Sequence, residues 1–187
     1  MFTPNDFSTA IASARQQLQF VQNALSTIGC PPVAELRINL ATLSRDTILE
    51  LLDDVPSGYQ KADRYTDYVY VIRQVHDDET LITSMWAQLD DARKLADDYC
   101  RINRELANPG ALYVGRSKKL KSRLTQHLGM EQKGIYSMHL QRWATVNNAE
   151  ISISYMRFDN QDDLLIQAVE DGIWAALMPA FGRKGEK

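Results

Sequence analysis

The stretch Ala111–Gly129, ALYVGRSKKLKSRLTQHLG, leaves the chain little choice of local structure. Ala111 to Gly115 is a run of apolar and aromatic residues closing on a glycine, the pattern of a short strand. Ser117 stands where a side-chain oxygen would cap a helix over 118–128, and Gly129 ends it. Leu120, Leu124 and Leu128 recur every four residues and make a buried stripe. Arg123 and His127, also four apart, stack along the rim of that stripe, close to where the strand carries Tyr113. A fixed cation and an imidazole side by side make a place to hold a phosphate.

Charge sharpens that reading. The whole chain of 187 residues has a net charge of −3, which argues against indiscriminate nucleic-acid binding. Yet residues 116–142 hold seven basic side chains against Glu131 alone, a net +6, so charge is segregated into this stretch. Arg116, Lys118, Lys119 and Lys121 would meet backbone phosphates there. Cys30 and Cys100 have neither metal-ligand spacing nor the density of a disulfide framework. No apolar run is long enough to cross a bilayer and no leading segment reads as a signal peptide, so a cytoplasmic setting without membrane contact is expected.

Around the organising stretch the chain alternates textures. Phe7, Ile11, Ala14, Leu18, Val21, Leu25 and Ile28 follow a 3.5-residue repeat, which suits packing against another helix of this chain or of a partner. Residues 33–43 read as helical, and Ser44 as the N-cap of a helix through Val55. Residues 1–60 are thus expected to be a helical accessory region. Tyr65–Val75 is β-branched and aromatic, a strand with Tyr68, Tyr70 and Ile72 on one face and Val69, Val71 and Arg73 on the other. Residues 80–106 read as one long helix with acidic flanks, 138–143 as a short helix, and Ala149–Phe158 as a strand. Asp162 or Asp163 would cap a last helix carrying Glu170 at the margin of its apolar side, stopped at Pro179 before a basic tail. The expectation is an α+β domain over 65–187 with a three-stranded mixed or antiparallel sheet, flanking helices and a helical insertion over 77–108.

From Tyr65 onward the chain resembles the GIY-YIG nucleases, a family of small α/β domains. Tyr113-Val114-Gly115 is similar to the second half of the signature, and Arg123 stands eight residues past the glycine, where the family has its arginine. His127 matches the histidine or tyrosine one turn later, and Glu170 the acidic metal ligand on the helix after the third strand. Phe181-Gly182-Arg183-Lys184-Gly185 is similar to the ending of some branches. Tyr70 takes the place of the first-signature tyrosine, with Tyr68 as its competitor. The chain departs from the family where Tyr68 replaces a glycine, where segment 77–108 replaces a short turn, and where Gly182 stands in place of an asparagine found in many members.

The resemblance implies a Mg²⁺- or Mn²⁺-dependent endonuclease acting on DNA, with RNA not excluded. Glu170 would hold the metal, Arg123 would grip the scissile phosphate, and Tyr70 or Tyr113 would align or deprotonate the attacking water. His127 would assist as an acid–base group or hold a tyrosine in place. Two rivals stand beside this. One is a binding module on the same fold that has lost catalysis. The other is a nuclease toxin or defence effector controlled by a partner protein. The N-terminal helices and the inserted helix would serve a protein partner, a homodimer or recognition of the DNA target.

Overall fold

Four extended segments build one antiparallel sheet. The computed structural model describes residues 3–58, 65–105, 108, 110–130 and 134–185. Its strands are β1 (Val33–Asn39), β2 (Thr66–Gln74), β3 (Ala111–Ser117) and β4 (Glu150–Asp159), in the order β1-β4-β2-β3. Among the described residues, five α-helices flank the sheet: α1 (Pro4–Leu25), α2 (Arg45–Leu51), α3 (Glu79–Arg93), α4 (Leu120–Leu128) and α5 (Asp163–Leu177).

The sheet has a fourth strand where a helix was expected. Residues 33–39 pair with β4, with Leu36 opposite Ile153 and Ile38 opposite Ile151. Leu36, Ile38 and Leu40 are spaced by two, and the free edge of β4 offers the hydrogen bonds that turn this short ambiguous segment into a strand. Residues 33–39 therefore belong to the same sheet as the rest.

The two faces of β2 divide as the alternation predicts. Tyr68, Tyr70 and Ile72 join the main core with Leu40, Ile48, Met85, Leu120, Leu124 and Ile153. Val69 enters a smaller cluster on the other face, with Phe158, Leu165 and Ile166 under α5. Ala24 and Ile28 pack on that cluster, whereas Phe7, Ile11, Leu18 and Leu25 of the heptad stripe are exposed among the described residues.

Several helices are shorter than their apolar patterns suggest. Helix α3 stops at Arg93, because Leu95 faces solvent and Asp98 is drawn inward to accept from the Gly134 amide (3.1 Å) and Arg142 (3.2 Å). The expected end at Leu106 lies outside the described residues, as do Pro109, Glu131 and Lys133. Helix α4 begins at Leu120, since β3 runs on through Ser117, whose hydroxyl accepts from the Lys119 amide (3.0 Å) instead of capping the first turn. Helix α2 starts at Ser44 through a capping box with Thr47 but ends at Leu51, short of Val55. Residues 140–142 form one 3₁₀ turn, and Asp162 caps α5 by accepting from the Leu164 amide (2.8 Å).

Strand β3 is the edge of the sheet, and its two ends differ. Ala111 and Leu112 accept from the amides of Ala180 and Phe181, so the tail runs beside the start of the strand. The segment after α3 lies against that tail in turn, Gly182 donating to the Arg101 carbonyl (2.9 Å) and Asn103 to that of Ala180 (2.8 Å). Further along, Tyr113, Arg116 and Ser117 line a cavity of about 810 Å³.

Candidate functional site

The tyrosine pair is placed by backbone pairing. Tyr70 on β2 lies directly opposite Gly115 on β3. A Cβ at position 115 would meet the Tyr70 hydroxyl at 2.5 Å and the Tyr113 ring at 2.8 Å, so only glycine lets both rings lie over that point of the strand. The rings are nearly parallel, 9° apart with centroids 6.2 Å distant, an offset arrangement. This is the physical reason for a glycine after Tyr113-Val114. Gly182 serves Tyr113 from the other side. Its φ of 93° is in the left-handed region, and a Cβ there would strike the Tyr113 ring at 2.6 Å.

Helix α4 supplies the polar groups behind and beside the rings. His127 is completely buried, and its Nδ1 accepts from the Met138 amide (3.4 Å). A neutral ring that accepts at Nδ1 carries its proton on Nε2, which therefore donates to the Tyr70 hydroxyl 2.9 Å away. Burial, helped by the Arg123 charge, holds the His127 pKa well below the ordinary histidine range, so the ring stays neutral at neutral pH. Arg123 donates to Gln126 (2.7 Å), to the Tyr136 carbonyl (3.1 Å) and to the Tyr113 hydroxyl (3.3 Å). Burial works against its charge, but Tyr70 and Tyr113 beside it hold the guanidinium firmly protonated. Burial also pushes both phenols above the usual tyrosine range, most strongly Tyr70, while Arg123 acts to lower them.

Glu170 reaches the cavity from α5. It is 8% exposed, and Gln167 donates to its Oε2 at 3.2 Å. Burial first, and then the neighbouring Asp171 charge, raise its pKa above the carboxylate norm, against the pull of Arg116. The other carboxylate lining the cavity, Asp67, is already engaged, accepting from Arg116 through both oxygens (3.0 and 3.1 Å). Among the described residues no three His, Cys, Asp or Glu side chains are grouped as a cage for an ion. Glu170 alone still fits Mg²⁺, which keeps most of its waters and accepts one or two carboxylates together with phosphate oxygens. A carboxylate held in a polar cavity with its charge disfavoured gains from a cation at that point.

Of the residues expected to act together, Tyr70, Tyr113, Arg123 and Glu170 line one cavity, and His127 stands directly behind Tyr70. Tyr68 does not line it; its ring packs edge-on against Tyr155 within the core. The basic residues divide. Lys118 and Lys119 are exposed, and Lys118 lines the cavity mouth 3.6 Å from Asp163. Lys121 donates to the Asp53 carbonyl (3.1 Å). Arg116 is only 10% exposed and is bound by Asp67 and Asp163, so it serves as a structural ion pair as well as lining the cavity.

Sequence reasoning passed over three other arginines of the lining, Arg93, Arg101 and Arg183. The basic tail was the single local hint for the last of them; nothing in the acidic surroundings of the first two marks them. It also passed over Cys100, which lines the cavity as an inert thiol, its pKa pushed up to about 12 by burial. Comparison of the chain with protein-family models, with curated proteins and with solved structures finds no match.

Proposed function

We propose that this cavity is the active site of a Mg²⁺-dependent endonuclease of the GIY-YIG kind that hydrolyses phosphodiester bonds in DNA. The observation that carries the reading is convergence. Side chains from β2, β3, α4 and α5 meet around one cavity as tyrosine, tyrosine, arginine and carboxylate, in the roles the chemistry needs. The run β2, β3, α4, β4, α5 and the opposition of Tyr70 to Gly115 support the same family reading, with β1 as an added edge strand.

Phosphodiester hydrolysis requires a nucleophile to approach an anion and an alkoxide to leave. Arg123 presents a planar fork of donors to that anion, and among the described residues its hydrogen-bond partners Tyr113, Gln126 and the Tyr136 carbonyl are all neutral. Glu170 would hold the metal, which when bound would neutralise phosphate charge and stabilise the leaving oxygen. Tyr70 accepts a hydrogen bond from His127, which leaves its own O–H directed towards another acceptor, such as a water in the cavity. His127 in this arrangement is a positioning residue. Fixed in one tautomer and neutral, it orients the phenol and helps its oxygen bear negative charge.

One observation favours a second reading. With both phenols raised by burial, the site without its cation lacks a ready base, as a module that binds nucleic acid without cutting it would. Plasmid nicking separates the two. Wild type is expected to cut with Mg²⁺ and not with chelator, and Glu170→Gln to lose about 10²–10³ in rate while keeping its fold. A variant that cuts as well as wild type overturns the site. Wild type that binds plasmid but never nicks it supports the binding module. A labelled RNA of the same sequence serves as the substrate control.

A further inference from the structure

The inserted segment is acidic by sequence, yet it turns its acids away from the cavity. Asp90 pairs with Arg104 (2.6 Å), Asp91 with Lys94 (2.6 Å), and Asp98 with Arg142 (3.2 Å). Two of its arginines go the other way. Arg93, the last residue of α3, and Arg101, in the segment that returns to β3, both line the cavity that holds Arg123 and Glu170. Arg183 joins them from the tail. Arg93 and Arg101 are exposed, and among the described residues neither has a salt-bridge partner.

The backbone carrying Arg101 is not a loose loop. Cys100 donates to the Ser137 carbonyl (2.9 Å), Gly182 to that of Arg101 (2.9 Å), and the Asn103 side chain to both the Pro179 and Gly182 carbonyls (2.9 Å each). The guanidinium is thus carried by a strand-like rung stitched between two other segments. A volume of about 810 Å³ falls in the range of pockets that bury whole small molecules, roughly 300–1,000 Å³, so there is room beyond a single phosphate.

We propose that Arg93 and Arg101 form a second wall of the cleft that binds nucleic-acid backbone phosphates flanking the one held at Arg123. This rests on reading the cleft as a nucleic-acid site. The insert between β2 and β3 is then a substrate-binding element, and the contact is electrostatic and independent of base sequence. Arg123 grips the reacting phosphate and Glu170 would hold the metal beside it, while the insert fixes the strand's path on one side.

The test is binding of a short fluorescein-labelled DNA duplex in chelator, where cutting is blocked, over a series of KCl concentrations. Arg93→Gln and Arg101→Gln are each expected to weaken binding about three- to tenfold at about 100 mM KCl. Each should lower the slope of log K on log[KCl] by about 0.9, the loss of one phosphate contact. Arg93→Lys and Arg101→Lys should stay within about twofold of wild type, and Lys94→Ala, on the far side of the same turn, should change neither affinity nor slope. Melting temperatures check that each variant is folded. Unchanged slopes in both glutamine variants overturn the proposal, as does a wild type that fails to bind the duplex at low salt. Neither result decides the nuclease reading, which is judged separately by Mg²⁺-dependent nicking with the wild type.

Discussion

At the β3 end of the cavity Arg116 gives its guanidinium to Asp67 and Asp163, whereas on α4 Arg123 faces Tyr113, Gln126 and the Tyr136 carbonyl. Both line the same space. The first is neutralised by carboxylates of its own chain and ties β2, β3 and the start of α5 together. The second is held in place, among the described residues, by groups that carry no charge, and it lines the cavity. Partners, more than position, separate a cation that builds the protein from one able to take an external anion.

Substitution at the two positions should break the molecule in different ways. On the proposed function, Arg123→Ala is expected to lower cleavage by about 10²–10³, with a melting temperature close to wild type, because it would remove a donor aimed at transition-state charge. Loss of fold without loss of rate per folded molecule would place Arg123 with Arg116. Arg116→Ala should cost about 3 kcal/mol of stability, because Asp67, 7% exposed, is left with a charge and no cation. Its cleavage per folded molecule should fall far less than that of Arg123→Ala. Urea unfolding beside nicking assays gives both numbers, and a stable but inactive Arg116→Ala would reverse the assignment.

How much of this could be read from the chain follows the same division. Arg123 and His127 were legible because helical spacing alone brings positions four apart together. The glycine after Tyr113-Val114 was legible as a signal, although its reason, the Tyr70 hydroxyl opposite it, is a cross-strand fact. Arg116 looked like a free basic residue, since nothing local shows that Asp67 and Asp163 converge on it. Arg93 and Arg101 were hidden by the reverse effect: their neighbourhood counts as acidic, but Asp90, Asp91 and Asp98 are paired with Arg104, Lys94 and Arg142. Strand β1 was missed because a seven-residue segment with one good alternation takes its state from the edge it meets. Helical period placed Arg123 and His127 but not the Ser117 cap or the end of α3, and what depended on which distant segment arrives was not readable.

The smallest expected effect sharpens the comparison from behind the tyrosines. His127 is held neutral, with a folded pKa below the ordinary value of about 6.5, chiefly by burial. On unfolding the ring takes up a proton wherever the pH lies between those two values. Its contribution to stability is therefore complete above about pH 6.5 and declines as the pH falls below it, and the lowered His139 acts with the same sign. Glu170 acts in the opposite sense. Its raised pKa makes the folded chain bind the extra proton, so acidification from that raised value towards the usual carboxylate range favours the fold. Melting temperatures of wild type and His127→Gln across pH 5 to 8 isolate the first effect, because glutamine can still meet the Met138 amide and the Tyr70 hydroxyl without titrating. The variant should show the flatter profile on the acid side. An identical slope in both proteins would mean that His127 is protonated in the fold, and the hydrogen bond to Tyr70 could then no longer be assigned to a neutral ring with a single fixed tautomer.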